Sequence, residues 1–111
     1  MKLHQGDVIY VDFSGSVGSE IQGIRPAVVI SSDNYNRNSR YIMVAPVTNH
    51  GSDFHSYVNL IGYNNVHGRV NASQVHCYSL ERVRSTPMDQ LRVSDFNAII
   101  NKVQDIMMCC S

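Results

Sequence analysis

Residues 6–48 read GDVIYVDFSGSVGSEIQGIRPAVVISSDNYNRNSRYIMVAPVT, and the order of elements in this stretch decides the fold. Gly6 to Phe13 alternates and is rich in Val, Ile, Tyr and Phe, so it predicts a strand. Ser14 to Ile24 is a glycine- and serine-rich loop, long for a connection inside a compact domain, and loops of that kind tend to carry function. Ala27 to Ser31 is a continuous apolar run and predicts a buried second strand; Ser32 to Arg40 is polar and has room for a single helical turn. Tyr41 to Val47 predicts the third strand, with Pro46 placing its end at an edge or bulge. Pro26 biases Arg25 to an extended conformation, so its side chain projects where the second strand begins. Thr48 sits just past the third strand. A guanidinium is a planar fork of donors that fits phosphate oxygens. With a hydroxyl on the neighbouring strand and a glycine-rich loop alongside, the arrangement suits a phosphate-handling site.

The second half has a plainer pattern. Phe54 to Ile61 and Gly68 to Leu80 hold enough Val, Tyr and Leu for two or three further strands, separated by the turn-like Gly62-Tyr63-Asn64-Asn65. Thr86-Pro87 breaks the chain, and Met88 to Arg92 reads as a short turn of helix. Ser94 is the expected N-cap of a terminal helix whose Phe96, Ile99, Ile100, Val103, Ile106, Met107 and Cys110 share one face. Short strands closed off by one helix imply a mainly β (α+β) fold, a small partly open barrel with a C-terminal amphipathic helix across it. Residues 1–111 read as a single domain, without internal repeat or linker.

Composition bounds the partners. A hydrophobic fraction of 43% with 16% charged residues fits an ordinary soluble globular protein. The apolar runs fall far short of the ~20 residues that span a bilayer, and the polar residues 1–6 do not read as a signal peptide. Three cysteines, two of them adjacent at Cys109 and Cys110, make no disulfide framework, so the expected compartment is the reducing cytoplasm. A net charge of zero argues against coating nucleic acid non-specifically. Arginine nevertheless supplies seven of the nine basic residues, so RNA can still be bound where arginines converge on one cleft.

The stretch 6–48 also resembles the MazF/PemK toxins of bacterial toxin–antitoxin pairs. Their first strand reads GD-x-hydrophobic, their loop GSEQ-x-G-x-RP, and their third strand ends in AP-hydrophobic-T. The dense part of the resemblance covers about two fifths of the chain. It implies an SH3-like barrel of the CcdB/MazF type. It further implies a type II toxin that is a sequence-selective, metal-independent endoribonuclease (an mRNA interferase) acting on single-stranded RNA. The implied partners are a second copy of the chain, with two RNA sites flanking the interface, and a MazE-like antitoxin with a disordered acidic C-terminal segment. No cofactor is implied.

By the same resemblance Arg25 and Thr48 are the catalytic residues. RNA is cut without metal or added water when its own 2′-hydroxyl attacks the neighbouring phosphate, leaving a 2′,3′-cyclic phosphate and a 5′-hydroxyl. Donors aimed at the developing charge are usually the largest catalytic term. A guanidinium stays protonated in proteins and makes a poor base. Arg25 therefore suits charge stabilisation and proton donation to the leaving 5′-oxygen, and Thr48 suits a hydrogen bond to a non-bridging oxygen. Ser19, Glu20 and Gln22 in the loop, with Asn49 and His50 after Thr48, are the candidate RNA-binding residues. The loop departs from the family order, because Ile21 stands between Glu20 and Gln22, and this bears on base preference.

Other readings stand beside this one. Arg25 could be a surface arginine paired with Glu20, and Thr48 a strand-end hydroxyl bonded to its own backbone. His50, two residues beyond Thr48, is an alternative acid–base group. His50, Asp53 and His55 lack a firm metal-ligand spacing, so no metal site is expected; Cys109 and Cys110 lack an adjacent base. A CcdB-like gyrase poison and a non-catalytic SH3-like binding module are the competing functions on such a barrel. The pairing of Arg25 with Thr48 favours RNA cleavage over the first. The absence of tryptophan and of aromatic clusters in the loops argues against peptide capture by the second.

Overall fold

The computed structural model describes residues 2–15, 18, 21–49 and 56–108. In chain order it contains β1 (Asp7–Asp12), β2 (Ile24–Val29), α1 (Asp33–Asn38), β3 (Tyr41–Thr48), β4 (Tyr57–Leu60), β5 (Gly68–Asn71), β6 (His76–Ser79), β7 (Asp89–Gln90) and α2 (Val93–Met107). A single 3₁₀ turn, Leu80–Arg82, follows β6. Every strand pairing is antiparallel, in the order β4-β5-β3-β2-β1-β7, with β6 also pairing with β3. β3 thus has β2 along one side, and β6 then β5 along the other. Beyond the 3₁₀ turn, Val83 bridges back to Val11, which helps curl the sheet into a half-barrel.

Side chains alternate along a strand, so each strand feeds both faces of the sheet. One face carries Val8, Val28, Ala45, Val47, Val58 and Val70, and Ile99 of α2 packs into it. The other carries Ile9, Val11, Ala27, Val29, Ile42 and Val44 around Phe13, inside the curl. β2 and β3 are central and feed both clusters, which explains why residues 27–30 read as an unbroken apolar run. Fully burying each of these Val, Ile and Phe side chains contributes roughly 1.5–3 kcal/mol.

Several elements differ from the sequence reading in informative ways. β2 begins at Ile24, three residues earlier than the expected Ala27, so Arg25 is the second residue of the strand. Pro26 is accommodated because Tyr10, opposite it, turns its own N–H and C=O away, to Ser85 Oγ and the Arg84 N–H. Pro46 is neither at an edge nor at the end of β3. It is buried opposite Ala27, in the gap where β3 changes partner from β6 to β5 and no ladder bond is required of it. The expected helical turn at Met88 to Arg92 is instead the short strand β7. The Met88 N–H bonds Val8 O and the Leu91 N–H bonds Gly6 O, while the Asp89 carboxylate accepts the Asn65 and Val66 N–H groups. Ser94 does not cap α2. The N-cap is Arg92, whose N–H bonds the Tyr63 hydroxyl while its guanidinium lies 4.3 Å from the Tyr63 ring centre. Phe96, Ile99, Ile100 and Val103 pack as expected, but Ile106 and Met107 are exposed where the last turn runs past the sheet. Cys110 lies outside the described residues. No helix among the described residues is long and apolar enough to cross a membrane.

Candidate functional site

The site is built on the β2–β3 pairing. The two strands run in register through Ala27↔Pro46, Val28↔Ala45 and Val29↔Val44. Continued by two residues, the same register sets Arg25 directly opposite Thr48. Residues opposite each other in an antiparallel pair share a face, and this face is the one that carries Phe13 inside the curl. On the far side of β3, Thr48 is paired with Arg69 of β5, and Arg69 in turn with Asn59 of β4. One cross-strand row therefore reads Arg25, Thr48, Arg69, Asn59. Arg25 and Asn59 are exposed, and Thr48 and Arg69 are half-buried. The neighbouring positions on the opposite face, Val47, Val58 and Val70, are buried under α2, which fixes the direction of the row.

Two further features hold the row in place. Arg25 Nε donates to Gln22 O at 3.1 Å, which orients the guanidinium. Gly68 lies against the end of β3 with φ +121°, and a Cβ there would stand 2.5 Å from Thr48 O and 2.8 Å from Asn49 Oδ1. Only glycine lets β5 come this close to Thr48.

The loop between β1 and β2 is tied down at both roots. At the first, Arg82 Nη1 donates to Asp12 O and Ser14 O at 3.0 and 2.9 Å. Its guanidinium lies 4.4 Å from the Tyr78 ring centre. The Ser14 hydroxyl and N–H, with smaller help from Arg84 and Arg82, hold the Asp12 carboxyl below the usual aspartate range. At the second, the Phe13 N–H bonds Gly23 O, and the Ile21 N–H bonds Gln74 Oε1 at 3.0 Å. Beneath the loop, Phe13 meets His76 and Tyr78 edge-on, and those two rings stack at 5.1 Å.

The structure thus brings together Arg25, Thr48, Gln22 and Asn49 from the sequence reading. Gln22 is exposed beside Arg25, and Asn49 reaches over Gly68 next to Thr48. Ser19, Glu20 and His50 lie outside the described residues, as do the Glu20 ion pair and the His50, Asp53 and His55 grouping. Among the described residues no cluster of His, Cys, Asp and Glu is arranged to hold a metal ion. His76 lies opposite Val44 and therefore two pleats from the Arg25–Thr48 row. Its Nε2 is buried and, among the described residues, has no hydrogen-bond partner, and its ring packs against Phe13. Sequence reading missed Arg69, Gln74 and Arg82. Alternation in Gly68-Arg69-Val70-Asn71 signals that Arg69 faces away from Val70, but the register that sets it beside Thr48 appears only in the paired sheet.

Comparison with known proteins agrees with this fold. Residues 4–107 match the family described as PemK-like, MazF-like toxin of type II toxin-antitoxin system. Among curated proteins, the chain is 28% identical over 109 residues to the endoribonuclease MazF of Staphylococcus saprophyticus, covering 91% of this chain and 75% of that protein. Among solved structures, MazF of Deinococcus radiodurans superposes with a TM-score of 0.90 at 21% identity, over 97% of this chain and 98% of that one. An endoribonuclease from a mycobacterial species, in complex with its cognate antitoxin, gives 0.81 at 15% identity, over 98% of both chains. With the family match spanning nearly its whole length and the fold agreeing throughout, the chain belongs to the PemK-like, MazF-like toxins of type II toxin–antitoxin systems.

Proposed function

We propose that this toxin is an endoribonuclease that cleaves single-stranded RNA by internal attack of a 2′-hydroxyl, without a metal ion, at the Arg25–Thr48 pair. The observation that carries the reading is the register that sets a guanidinium opposite a hydroxyl on one open face, with Arg25 Nε already oriented by Gln22 O. In the reaction the 2′-oxygen bonds to phosphorus and gives up its proton to solvent water, while the bond to the 5′-oxygen breaks. Negative charge grows on the non-bridging oxygens and then on the departing oxygen. The Nη groups of Arg25 face the first charge and can supply a proton to the second. Thr48 donates its hydroxyl hydrogen to a non-bridging oxygen. Gln22 and Asn49 flank the pair and suit hydrogen bonds to splayed bases.

The partner of such a toxin is an antitoxin, as in the mycobacterial complex, and an acidic segment suits the arginine-bearing row. A homodimer is the second part of the proposal, supported by exposed Tyr41 and Met43 on β3 and by Ile106 and Met107 on α2.

Cleavage of an unstructured RNA in EDTA tests the reading. It should yield 2′,3′-cyclic phosphate and 5′-hydroxyl ends, and a single 2′-deoxy sugar at the cut site should block cleavage while leaving binding intact. Cutting of the deoxy substrate would exclude internal attack, and loss of activity in EDTA would exclude metal independence.

A further inference from the structure

The geometry points to Arg69 as a second phosphate-binding residue, which grips the RNA backbone next to the phosphate held at Arg25 and Thr48. This rests on the RNA-cleavage reading above. Thr48↔Arg69 is a direct cross-strand pair, and the β2–β3 register extended two residues beyond Ala27↔Pro46 sets Arg25 opposite Thr48 on the other side, so two arginines flank one threonine along a single row. Paired residues on adjacent strands stand about 4.5–5.5 Å apart at Cα, which sets the two arginines roughly 10 Å apart across β3. That separation exceeds the width of one phosphate group. Two planar forks so placed match two successive phosphates of a strand lying across the sheet better than one shared phosphate.

The surrounding face agrees with this path. Asn59 extends the row beyond Arg69, and Tyr57, one pleat away on β4, presents an aromatic ring to the same side. Rings and amides beside arginines are the side chains that hold unstacked single-stranded bases. Gly68 draws the start of β5 against Thr48, so Arg69 is carried in by backbone geometry, not by a mobile side chain alone. Arg69 would act on binding and Arg25 on the reaction.

The test uses the full chain and a fluorescent single-stranded RNA with 2′-O-methyl sugars throughout, which cannot be cut, titrated at several salt concentrations. Arg69→Gln should weaken binding roughly 10- to 100-fold, as expected for a lost charge-assisted contact, and should lower the salt slope of log K by about 0.7. On cleavable RNA it should raise KM and leave kcat within about threefold. Arg69→Lys keeps the charge and should keep the salt slope. Arg37→Gln, which removes a charge from α1, should change neither quantity. Melting temperature is followed for each variant; if Arg69→Gln does not fold, Arg69→Ala and Arg69→Lys carry the comparison. Wild-type affinity and salt slope in the neutral variants would overturn the assignment, and so would a fall in kcat at unchanged KM. If wild-type protein does not bind the RNA, the functional reading itself fails, which is a different outcome from wild type binding and Arg69→Gln binding equally well.

Discussion

The β2–β3 register, extended two residues beyond the pair Ala27↔Pro46, sets Arg25 opposite Thr48 on neighbouring antiparallel strands. Their placement follows from backbone register, which in turn is fixed by burial. A slip of one residue would turn Val28 and Ala45 out of one core and Val29 and Val44 out of the other. The Arg25–Thr48 pair is therefore held by the most buried part of the sheet.

Gly68→Ala should damage the site from a distance. The new methyl would meet Thr48 O at 2.5 Å and Asn49 Oδ1 at 2.8 Å, on a backbone at φ +121°. Thr48 must shift, and small misplacements of a reacting geometry can cost ~10² in rate. A kcat reduced more than about tenfold is expected. Gly62→Ala serves as the comparison, being strained at φ +85° but meeting only the Arg92 guanidinium, so it should lose stability without losing kcat. Equal kcat losses in the two variants would show that strain alone, and not contact with Thr48, is responsible.

The first root of the β1–β2 loop should loosen in acid. Asp12 has a lowered folded pKa, chiefly through its hydrogen bonds to Ser14. Its contribution to stability is therefore fully present above the ordinary aspartate value of about 3.9 and is lost as pH falls through the lower folded value. Asp12→Asn removes it at every pH. Urea midpoints of wild type and Asp12→Asn should differ by a constant amount at neutral pH and converge in the acid range. A difference that persists unchanged into strong acid would mean that the carboxylate charge is not what ties Asp12 to Ser14.

Two copies should associate. A sheet with short outer strands and exposed apolar side chains at Tyr41, Met43, Ile106 and Met107 is covered most simply by two-fold pairing. Light scattering at micromolar concentration should give twice 12.5 kDa. A monomer of full activity would refute the dimer.

The strand–loop–strand–turn–strand order of residues 6–48 is legible in the sequence because alternation, glycine-rich loops and proline are local signals. The positions of Arg25 and Thr48 on neighbouring strands are legible for the same reason, since each lies at the margin of an apolar run, whereas the role given to them comes from the family resemblance. Pro46 misleads because it is judged by what a strand needs on average, whereas here it falls where β3 exchanges one neighbour for another. The two residues of β7 are too few for periodicity to show and are held by Val8, Gly6 and Asn65. Ser94 is a good cap in isolation, but the Tyr63 hydroxyl claims the Arg92 N–H and starts α2 earlier. Arg69 and Gln74 could not be found locally, because their importance lies in which strand or loop stands beside them.

The central claim is that the fork of Arg25, and not merely its charge, acts on the reacting phosphate. Single-turnover cleavage by Arg25→Lys and Arg25→Ala, measured alongside binding of the uncleavable RNA, tests it most directly. Losing one oriented donor to a developing oxyanion typically costs ~10²–10³ in rate. Lysine should remain nearly as slow as alanine, because a point charge does not replace two parallel donors, and both variants should still bind RNA. Recovery of near wild-type rate by lysine would reduce Arg25 to a source of charge. Cleavage by Arg25→Ala within threefold of wild type would contradict the account outright.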